Sequence, residues 1–166
     1  MNKVLPGRYT ADIEGDFVVF LIGMRINQYW ALHKWGPVAM AMGPMLQSLE
    51  KDPASGFLGA ENFFNLRVSC SLQYWRSFED LEHFSRDSGK SHRAAWQRFN
   101  KAVGNNGSVG IWHETYKVKA SSYECVYGNM PLFGLAKASK RVAADGKWAK
   151  ARSRISRGEA KVEKVA

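Results

Sequence analysis

The chain has 166 residues, of which 45% are hydrophobic and 23% charged, and its formal net charge is +9. This length and composition are typical of one globular domain with a buried core, and they exclude a fibrous repeat, a wholly disordered chain and a disulfide-stapled miniature. The two cysteines, Cys70 and Cys125, lack metal-type spacing and are expected to be free thiols.

The positive charge is concentrated at the C-terminal end. From Phe133 onward there are ten Lys or Arg and three Asp or Glu, whereas residues 1–132 hold fourteen and twelve. A domain that binds nucleic acid through a folded face would carry its basic residues within the fold. We therefore predict a folded domain over residues 8–132 and a basic, flexible tail over 133–166, and we expect neither nucleic-acid nor membrane binding from that tail.

No stretch of the sequence is suited to crossing a membrane. The longest apolar run, Phe17 to Met24, has eight residues, and a membrane-spanning helix needs about 20. The first residues also lack the pattern of a secretory leader. The sequence therefore predicts a cytoplasmic protein.

The first clear element is a strand from Asp16 to Asn27 that is apolar on both faces, which is typical of a central strand covered on both sides. A helix is predicted from His33 to Lys51. Its apolar stripe recurs at helical spacing and comprises Trp35, Val38, Met42, Met45 and Leu49. A second strand is predicted from Phe57 to Phe64.

The third predicted strand, Leu66 to Trp75, alternates cleanly between its two faces. Ser77, three residues before Asp80, is typical of a helix start, and a fourth strand follows over Val109 to Val118. The order β-α-β-β-α-β predicts an α+β, ferredoxin-like fold.

Helices cover only one face of such a sheet, so the doubly apolar first strand needs a second cover. The simplest cover is the sheet of a partner subunit, in a homodimeric α+β barrel that encloses an apolar cavity. An intramolecular cover by the segment from Tyr123 to Leu135 is the alternative for part of this face.

Four segments resemble a known family over roughly residues 7–135. They are Gly15 to Phe20, Gln73 to Leu81, Gly110 to Tyr116 and Val126 to Pro131. The family is bacterial and fungal, was formerly of unknown function, and is now grouped as monooxygenase-like after a fumagillin-type fungal terpenoid monooxygenase. It belongs with the dimeric α+β barrel proteins, which include antibiotic-biosynthesis monooxygenases, haem-degrading monooxygenases and haem-containing aldoxime dehydratases.

This resemblance implies a small oxidoreductase of the monooxygenase type that acts on an apolar or aromatic substrate in the barrel pocket. It implies either no cofactor or haem. The alternatives are a haem-dependent lyase of the aldoxime dehydratase type and a barrel that binds a small ligand without catalysis, because one fold hosts many activities.

The last predicted strand carries the strongest group of candidate catalytic residues. Alternation places His113 on one face and Trp112, Glu114 and Tyr116 on the other. If His113 points into the cavity, it can act as a general base or as an axial iron ligand. If it points away, Glu114 and Tyr116 take its place at the cavity. A simply packed or hydrogen-bonded histidine is the structural alternative.

His92, on the second helix, is a further catalytic candidate. Haem-binding relatives use a helical histidine beside the sheet, so the resemblance implies that His92 or His113 is the iron ligand if haem is bound. A histidine bonded to backbone is the alternative.

Arg25 interrupts an apolar strand, where an unpaired charge is costly. It is expected to reach solvent, to pair with an acid such as Glu114, or to bind a substrate carboxylate or a haem propionate. The aromatic candidates for holding a flat substrate, which could equally be core residues, are Tyr74, Trp75, Trp96 and Trp112. The sequence has no phosphate-binding loop, dinucleotide fingerprint, zinc pattern or nucleophile elbow, which disfavours a nucleotide-dependent enzyme.

Overall fold

Two antiparallel sheets organise the chain in the computed structural model, which describes residues 3–86, 106–120 and 122–155. The large sheet has the spatial order β3-β4-β2-β5. Its strands are β2 (Phe17–Ile26), β3 (Phe57–Phe64), β4 (Val68–Trp75) and β5 (Val109–Val118). The small sheet has the order β6-β1-β7. Its strands are β1 (Leu5–Asp12), β6 (Tyr127–Met130) and β7 (Lys140–Ala143).

Helices α1 (Leu32–Glu50) and α2 (Phe78–Arg86) follow β2 and β4, and the short helix α3 (Leu135–Ala138) lies between β6 and β7. Single 3-10 turns occupy Pro53–Ser55 and Gly146–Trp148. In this described part of the chain, no helix combines the length and the apolar character that a membrane crossing requires.

From β2 to β5 the elements follow the order β-α-β-β-α-β, and the first and third strands of this unit lie at the centre of the sheet. This arrangement confirms the predicted α+β, ferredoxin-like fold. The four predicted strands lie within two residues of the observed ones. The dimeric barrel, which needs a partner subunit, stays a prediction.

The start of α2 shows why this part of the sequence forms a helix. The Ser77 hydroxyl accepts a hydrogen bond from the backbone N–H of Asp80 at 3.0 Å and donates to its carboxylate at 2.8 Å. Arg76 bonds both carboxylate oxygens at 2.9 Å and holds the pKa of Asp80 below its usual range. Arg76, the first residue after β4, is thereby tied to the first turn of α2.

The main core lies on the face of the large sheet that α1 and α2 cover. Val18 and Trp75 project from this helix-facing side, and Trp75 is fully buried. The helices contribute Met45, Leu46, Leu49, Leu81 and Phe84. The helical stripe predicted for α1 is confirmed along the helix, since its C-terminal half packs on this core and its N-terminal half packs on a smaller cluster at the other end of the sheet.

The opposite face of the large sheet is covered in part by the small sheet of the same chain. Phe17 and Tyr74 pack there against Tyr9, Ala11 and Leu135. The residues that surround this second core include Val19, Leu58, Leu72, Val118, Tyr123, Cys125 and Tyr127. The predicted intramolecular cover by the segment from Tyr123 to Leu135 is therefore confirmed for one half of this face, and β1 is a component that the sequence analysis missed.

The prediction of a flexible tail from residue 133 is wrong for residues 135–144. Strand β7 pairs with β1 from Tyr9↔Ala143 to Asp12↔Lys140. Leu135, Ala136 and Ala144 are at most 5% exposed. This segment escaped prediction because it buries mainly small alanines, so its composition is that of a solvated chain. Residues 156–166 lie outside the described part of the chain.

Candidate active site

A cavity of about 70 Å³ lies between α1 and the helix-facing side of the large sheet. Phe64, whose side chain lines it, is 77% exposed, so the cavity reaches the surface there. Its apolar lining includes Ile22, Met24, Val38, Met42 and Ile111, and its polar lining includes Asn62, Ser69 and Ser71. For comparison, an engineered cavity of about 150 Å³ binds benzene. This one therefore takes only the end of a larger apolar molecule.

The taper of β4 explains why space is left at this position. Its helix-facing residues are small at one end, with Ser69 and Ser71, and large at the other, with Gln73 and Trp75. Trp75 packs edge-on against Phe57 with ring centroids 5.3 Å apart. Because α1 lies along both ends of the strand, the space beside the two serines stays unfilled.

A buried chain of hydrogen bonds ends at the cavity wall. Trp75 Nε1 donates to Gln73 Oε1 at 3.1 Å, and Gln73 Nε2 donates to Ser71 Oγ at 3.4 Å. An indole N–H can only donate, so the amide oxygen of Gln73 must face it and the amide nitrogen must face Ser71. All three side chains are at most 3% exposed.

This series of hydrogen bonds leaves the hydroxyl proton of Ser71 without an acceptor in the described part of the protein. The Ser71 oxygen already accepts from Gln73, and its hydroxyl proton has no acceptor among the residues that the structure describes. Ser71 also lines the cavity. Buried donors are costly when unpaired, so an acceptor at this position in a bound molecule would be favoured. Sequence reasoning missed Ser71 and Gln73, and their only signal was their shared parity with Trp75.

His113 lies on the helix-facing side of β5. It is paired with Ile22 across the ladder, and its ring centroid lies 5.7 Å from that of Phe20, a residue packed against the main core. Ile22 and Ile111, which flank His113 on this face, both line the cavity. His113 itself is exposed and is not part of the lining, so it lies beside the cavity.

Ser71 and His113 stand on either side of Ile22. Ile22 is paired with Ser71 on β4 and with His113 on β5. Two strand spacings separate the outer residues, or about 10 Å between their backbones. On this face of the sheet, the register therefore places the Ser71 hydroxyl on one side of Ile22 and the His113 imidazole on the other.

The other candidates on β5 project from the opposite face. The Tyr116 hydroxyl donates to Glu114 Oε2 at 2.6 Å, which raises the pKa of Tyr116. A Cβ at Gly23 would lie 2.8 Å from Trp112 Nε1, which shows that the indole lies directly over this glycine. The sheet thus separates Trp112, Glu114 and Tyr116 from the cavity and from His113.

The structure disperses the predicted aromatic group. Tyr74 is buried on the opposite face beneath the small sheet, and burial raises its pKa to about 12. Trp75 belongs to the main core at the far end of β4, where it supports the hydrogen-bond chain rather than touching the cavity. His92 and Trp96 lie outside the described residues.

Arg25 does not pair with Glu114. Its guanidinium donates to the side chain of Asn27, and its partner across the ladder is Gly110, four residues from Glu114. This alternative was wrong because the register places the two side chains at different heights on β2 and β5. Arg25 is exposed, which agrees with the alternative that its charge reaches solvent.

Haem does not fit the cavity that the structure describes. Its volume of about 70 Å³ is about half that of a cavity that encloses benzene, so a macrocycle cannot enter it, and its lining contains no histidine. Within the described ranges, no three or more His, Cys, Asp or Glu side chains are grouped to hold a metal ion. His113 is the candidate iron ligand that lies within the described residues, and it packs against Phe20 beside the cavity.

Comparison with known proteins gives one family and several distant structures. A sequence model of the family described as Monooxygenase af470-like matches residues 17–135. None of the curated proteins matches this sequence. The fold assignment rests on the strand order of the chain itself.

Three solved structures illustrate the distant similarities. The chain is similar to SnoaB, a cofactor-independent oxygenase from Streptomyces nogalater, with 8% identity and a TM-score of 0.45 over 63% of this chain and 94% of that one. It is similar to a monooxygenase from the gene ActVA-Orf6 of Streptomyces coelicolor in complex with Nanaomycin D, with 17% identity and a TM-score of 0.37 over 60% and 86%. It is also similar to an aldoxime dehydratase, with 11% identity and a TM-score of 0.47 over 94% and 46%.

Proposed function

This chain belongs to the Monooxygenase af470-like family, as its sequence motifs predicted, and we propose that it is an oxidoreductase that adds oxygen to a small apolar substrate held between α1 and the large sheet. The observation that supports this best is the unused donor of Ser71 in the wall of a largely apolar cavity. Such a site selects an apolar molecule that carries one hydrogen-bond acceptor.

The proposed substrate is a cyclic aryl ketone with an activated methylene group on the far side of its ring from the carbonyl. Its carbonyl oxygen would accept the Ser71 hydrogen bond, and its methylene group would face His113 across Ile22. Because the two backbones are about 10 Å apart with Ile22 between them, a ring that reaches both side chains would lie over Ile22, with only its carbonyl end inside the cavity. The remainder of the molecule would pass Phe64 towards the surface.

The proposed reaction uses O₂ as the oxidant and the substrate as the reductant. His113 takes a proton from the methylene group, and the Ser71 donor stabilises the resulting enolate oxygen. The enolate gives two electrons to O₂ as the C–O bond forms, and the His113 proton completes the hydroperoxide. Loss of water leaves a second carbonyl, so that R₂CH₂ and O₂ give R₂C=O and H₂O. No further reductant enters this balance.

Anthrone is the probe for this reaction, because its carbonyl and methylene groups lie across one ring. Oxygen uptake and incorporation of ¹⁸O from ¹⁸O₂ would be measured for the wild type, Ser71→Ala and His113→Gln. We expect each variant to lose about a hundredfold in rate, the lower end of the range for a hydrogen-bond donor or general base. His83→Gln, a change at an exposed histidine of α2, is the matched control and should keep the wild-type rate.

Equal oxygen uptake by the wild type and His113→Gln would contradict the proposed role of the imidazole. Binding of anthrone without oxygen uptake would contradict the oxygenase and would favour a barrel that only binds its ligand.

We also propose that the uncovered half of the opposite face is the contact of a homodimer. Tyr116 on β5 and Phe63 on β3 are 51% and 46% exposed on this face. Exposed apolar groups on one sheet face are typical of a protein interface. Tyr116→Arg should convert a dimer to a monomer in light scattering, and an unchanged mass would argue against this contact.

A further inference from the structure

The end of the large sheet where β2 and β3 finish carries a patch of exposed apolar side chains. We call it the apolar rim, and it consists of Tyr29, Trp30, Leu32, Phe64 and Leu66. Leu66 and Trp30 are 88% and 81% exposed, the highest values among the large hydrophobic residues of the described chain. Exposed groups of this size in one place are typical of an interaction surface.

The rim is built from two loops that touch. The backbone N–H of Ile26 donates to the carbonyl of Arg67 at 2.7 Å, and the Arg67 guanidinium carbon lies 4.9 Å from the centre of the Tyr29 ring. The loop after β2, with Trp30, therefore lies beside the β3–β4 turn, with Leu66. Together the two loops present one surface.

The charge around the rim has one sign. Residues 24–40 and 62–70 contain no Asp or Glu, whereas they contain Arg25, Lys34 and Arg67. Arg25 and Arg67 are exposed. Aromatic and aliphatic groups surrounded by cations and free of acids match the chemistry of an anionic lipid surface, where tryptophan and tyrosine rings lie at the headgroups and cations neutralise them.

We propose that the apolar rim docks this protein on the surface of a bilayer that contains anionic lipid. Trp30, Leu32 and Leu66 enter the headgroup region, while Arg67 and Arg25 contact lipid phosphates and carboxylates. A second copy of the chain is the less suitable occupant, because two rims brought face to face would oppose cations to cations with no acid to neutralise them.

Docking would place the cavity mouth on the lipid. Phe64 belongs to the rim and also lines the cavity, so an apolar molecule dissolved in the bilayer could enter without crossing water. This consequence rests on the proposed function, whereas docking itself does not, and it is measured without any substrate.

Flotation with vesicles tests the docking. The full chain is mixed with vesicles of phosphatidylcholine that contain about 30% phosphatidylserine, or with phosphatidylcholine alone. We expect the wild type to float with the anionic vesicles and to bind less at high salt. Trp30→Ser combined with Leu66→Ser should weaken binding by at least about tenfold, and Arg67→Glu by about fivefold or more.

Two matched controls locate the contact. Val4→Ser with Leu132→Ser removes exposed apolar side chains beside the small sheet, at 54% and 44% exposure, and should leave binding unchanged. Lys150→Glu removes an exposed cation outside the rim and should change binding by less than about twofold.

Three outcomes would overturn the proposal. The first is a wild type that does not float with anionic vesicles. The second is binding that survives the Trp30 and Leu66 changes but is lost in Lys150→Glu, which would assign the contact to the basic C-terminal segment. The third is a double variant, Trp30→Ser with Leu66→Ser, whose oligomeric mass in light scattering differs from that of the wild type while its flotation is unchanged. This result would assign the rim to a protein contact.

Discussion

The two faces of the large sheet are completed in opposite ways, although the same four strands form both. On the helix-facing side, α1 and α2 close over Val18 and Trp75 and leave a cavity beside Ser71. On the opposite face, the small sheet of the same chain closes over Phe17 and Tyr74. One face therefore keeps an unfilled cavity, while the other is closely packed where the small sheet covers it.

The comparison shows that burial alone does not identify a site. Tyr74, at 8% exposure, is far more buried than His113, but it lies in a filled core. Polar groups near it have partners in the chain: the Tyr127 hydroxyl accepts from the backbone N–H of Leu135 at 3.1 Å, and Thr10 donates to the carbonyl of Cys125 at 2.7 Å. Ser71 differs because its hydroxyl proton has no acceptor among the described residues, and this unsatisfied donor distinguishes the cavity from the filled core.

The largest effect is expected where the small sheet closes the opposite face. Leu135→Ala should lower the free energy of unfolding by about 3 kcal/mol, because it leaves a cavity at a side chain that is only 5% exposed. Leu132→Ala, at a leucine that is 44% exposed, is the control and should cost less than about 0.5 kcal/mol. Urea denaturation measures both, and equal values would show that the small sheet does not share the core.

The buried chain on the helix-facing side is expected to be the next most sensitive feature. Gln73→Leu keeps the side-chain volume but leaves the Trp75 N–H unpaired in the core, which should cost about 2 kcal/mol. Tyr116→Phe removes a hydrogen bond on the exposed half of the opposite face and should cost less than about 0.5 kcal/mol. A Gln73 variant as stable as the wild type would mean that the hydrogen bonds from Trp75 through Gln73 to Ser71 are not formed.

Gly23 tests how closely Trp112 lies on the opposite face. A methyl group there would collide with the Ser69 carbonyl and lie 2.8 Å from the Trp112 indole, so Gly23→Ala should cost about 1.5 kcal/mol. Gly110→Ala is the matched change in the neighbouring strand, where the nearest atom is 3.7 Å away, and it should be close to neutral. Similar thermal stability of the two variants would contradict the close approach of Ser69 and Trp112 to Gly23.

The last effect appears only at high pH and concerns the stability of the opposite face. Burial raises the pKa of Tyr74 from 10.0 to about 12. Between these values the unfolded chain loses its phenolic proton while the folded chain keeps it, so stability falls as the pH rises from about 10 to about 12. Tyr74→Phe should reduce this slope in denaturation at several pH values. An unchanged slope would indicate that other groups, such as Tyr127, whose pKa burial also raises, cause it.

Much of the central domain could be predicted from residue patterns. The strands over Phe57–Phe64 and Val109–Val118 coincide with their predictions, because period-two alternation and the flanking turns depend on neighbours in the chain. The capping signal at Ser77 and Asp80 acts within four residues and is likewise confirmed. The family motifs lie within the same segments.

The small sheet could not be predicted in this way. Strands β1 and β7 are paired through residues more than a hundred positions apart, such as Thr10 and Val142, and each is short and partly polar. Strand β1 packs on Phe17 and Tyr74, and β7 is held by its pairing with β1; no local pattern reports either contact. For the same reason, the prediction of a flexible tail was wrong for residues 135–144.

By itself, the sequence determined the ferredoxin-like element order, the family and the division of β5 into two alternating sets, since each depends on spacing along the chain. Only the tertiary structure decided that His113 shares the helix-facing side with Ser71, that Glu114 and Tyr116 are turned away, and that Gln73 joins Trp75 to the cavity wall. Parity divides a strand into two faces, but the packing of helices on one of them gives each face its environment.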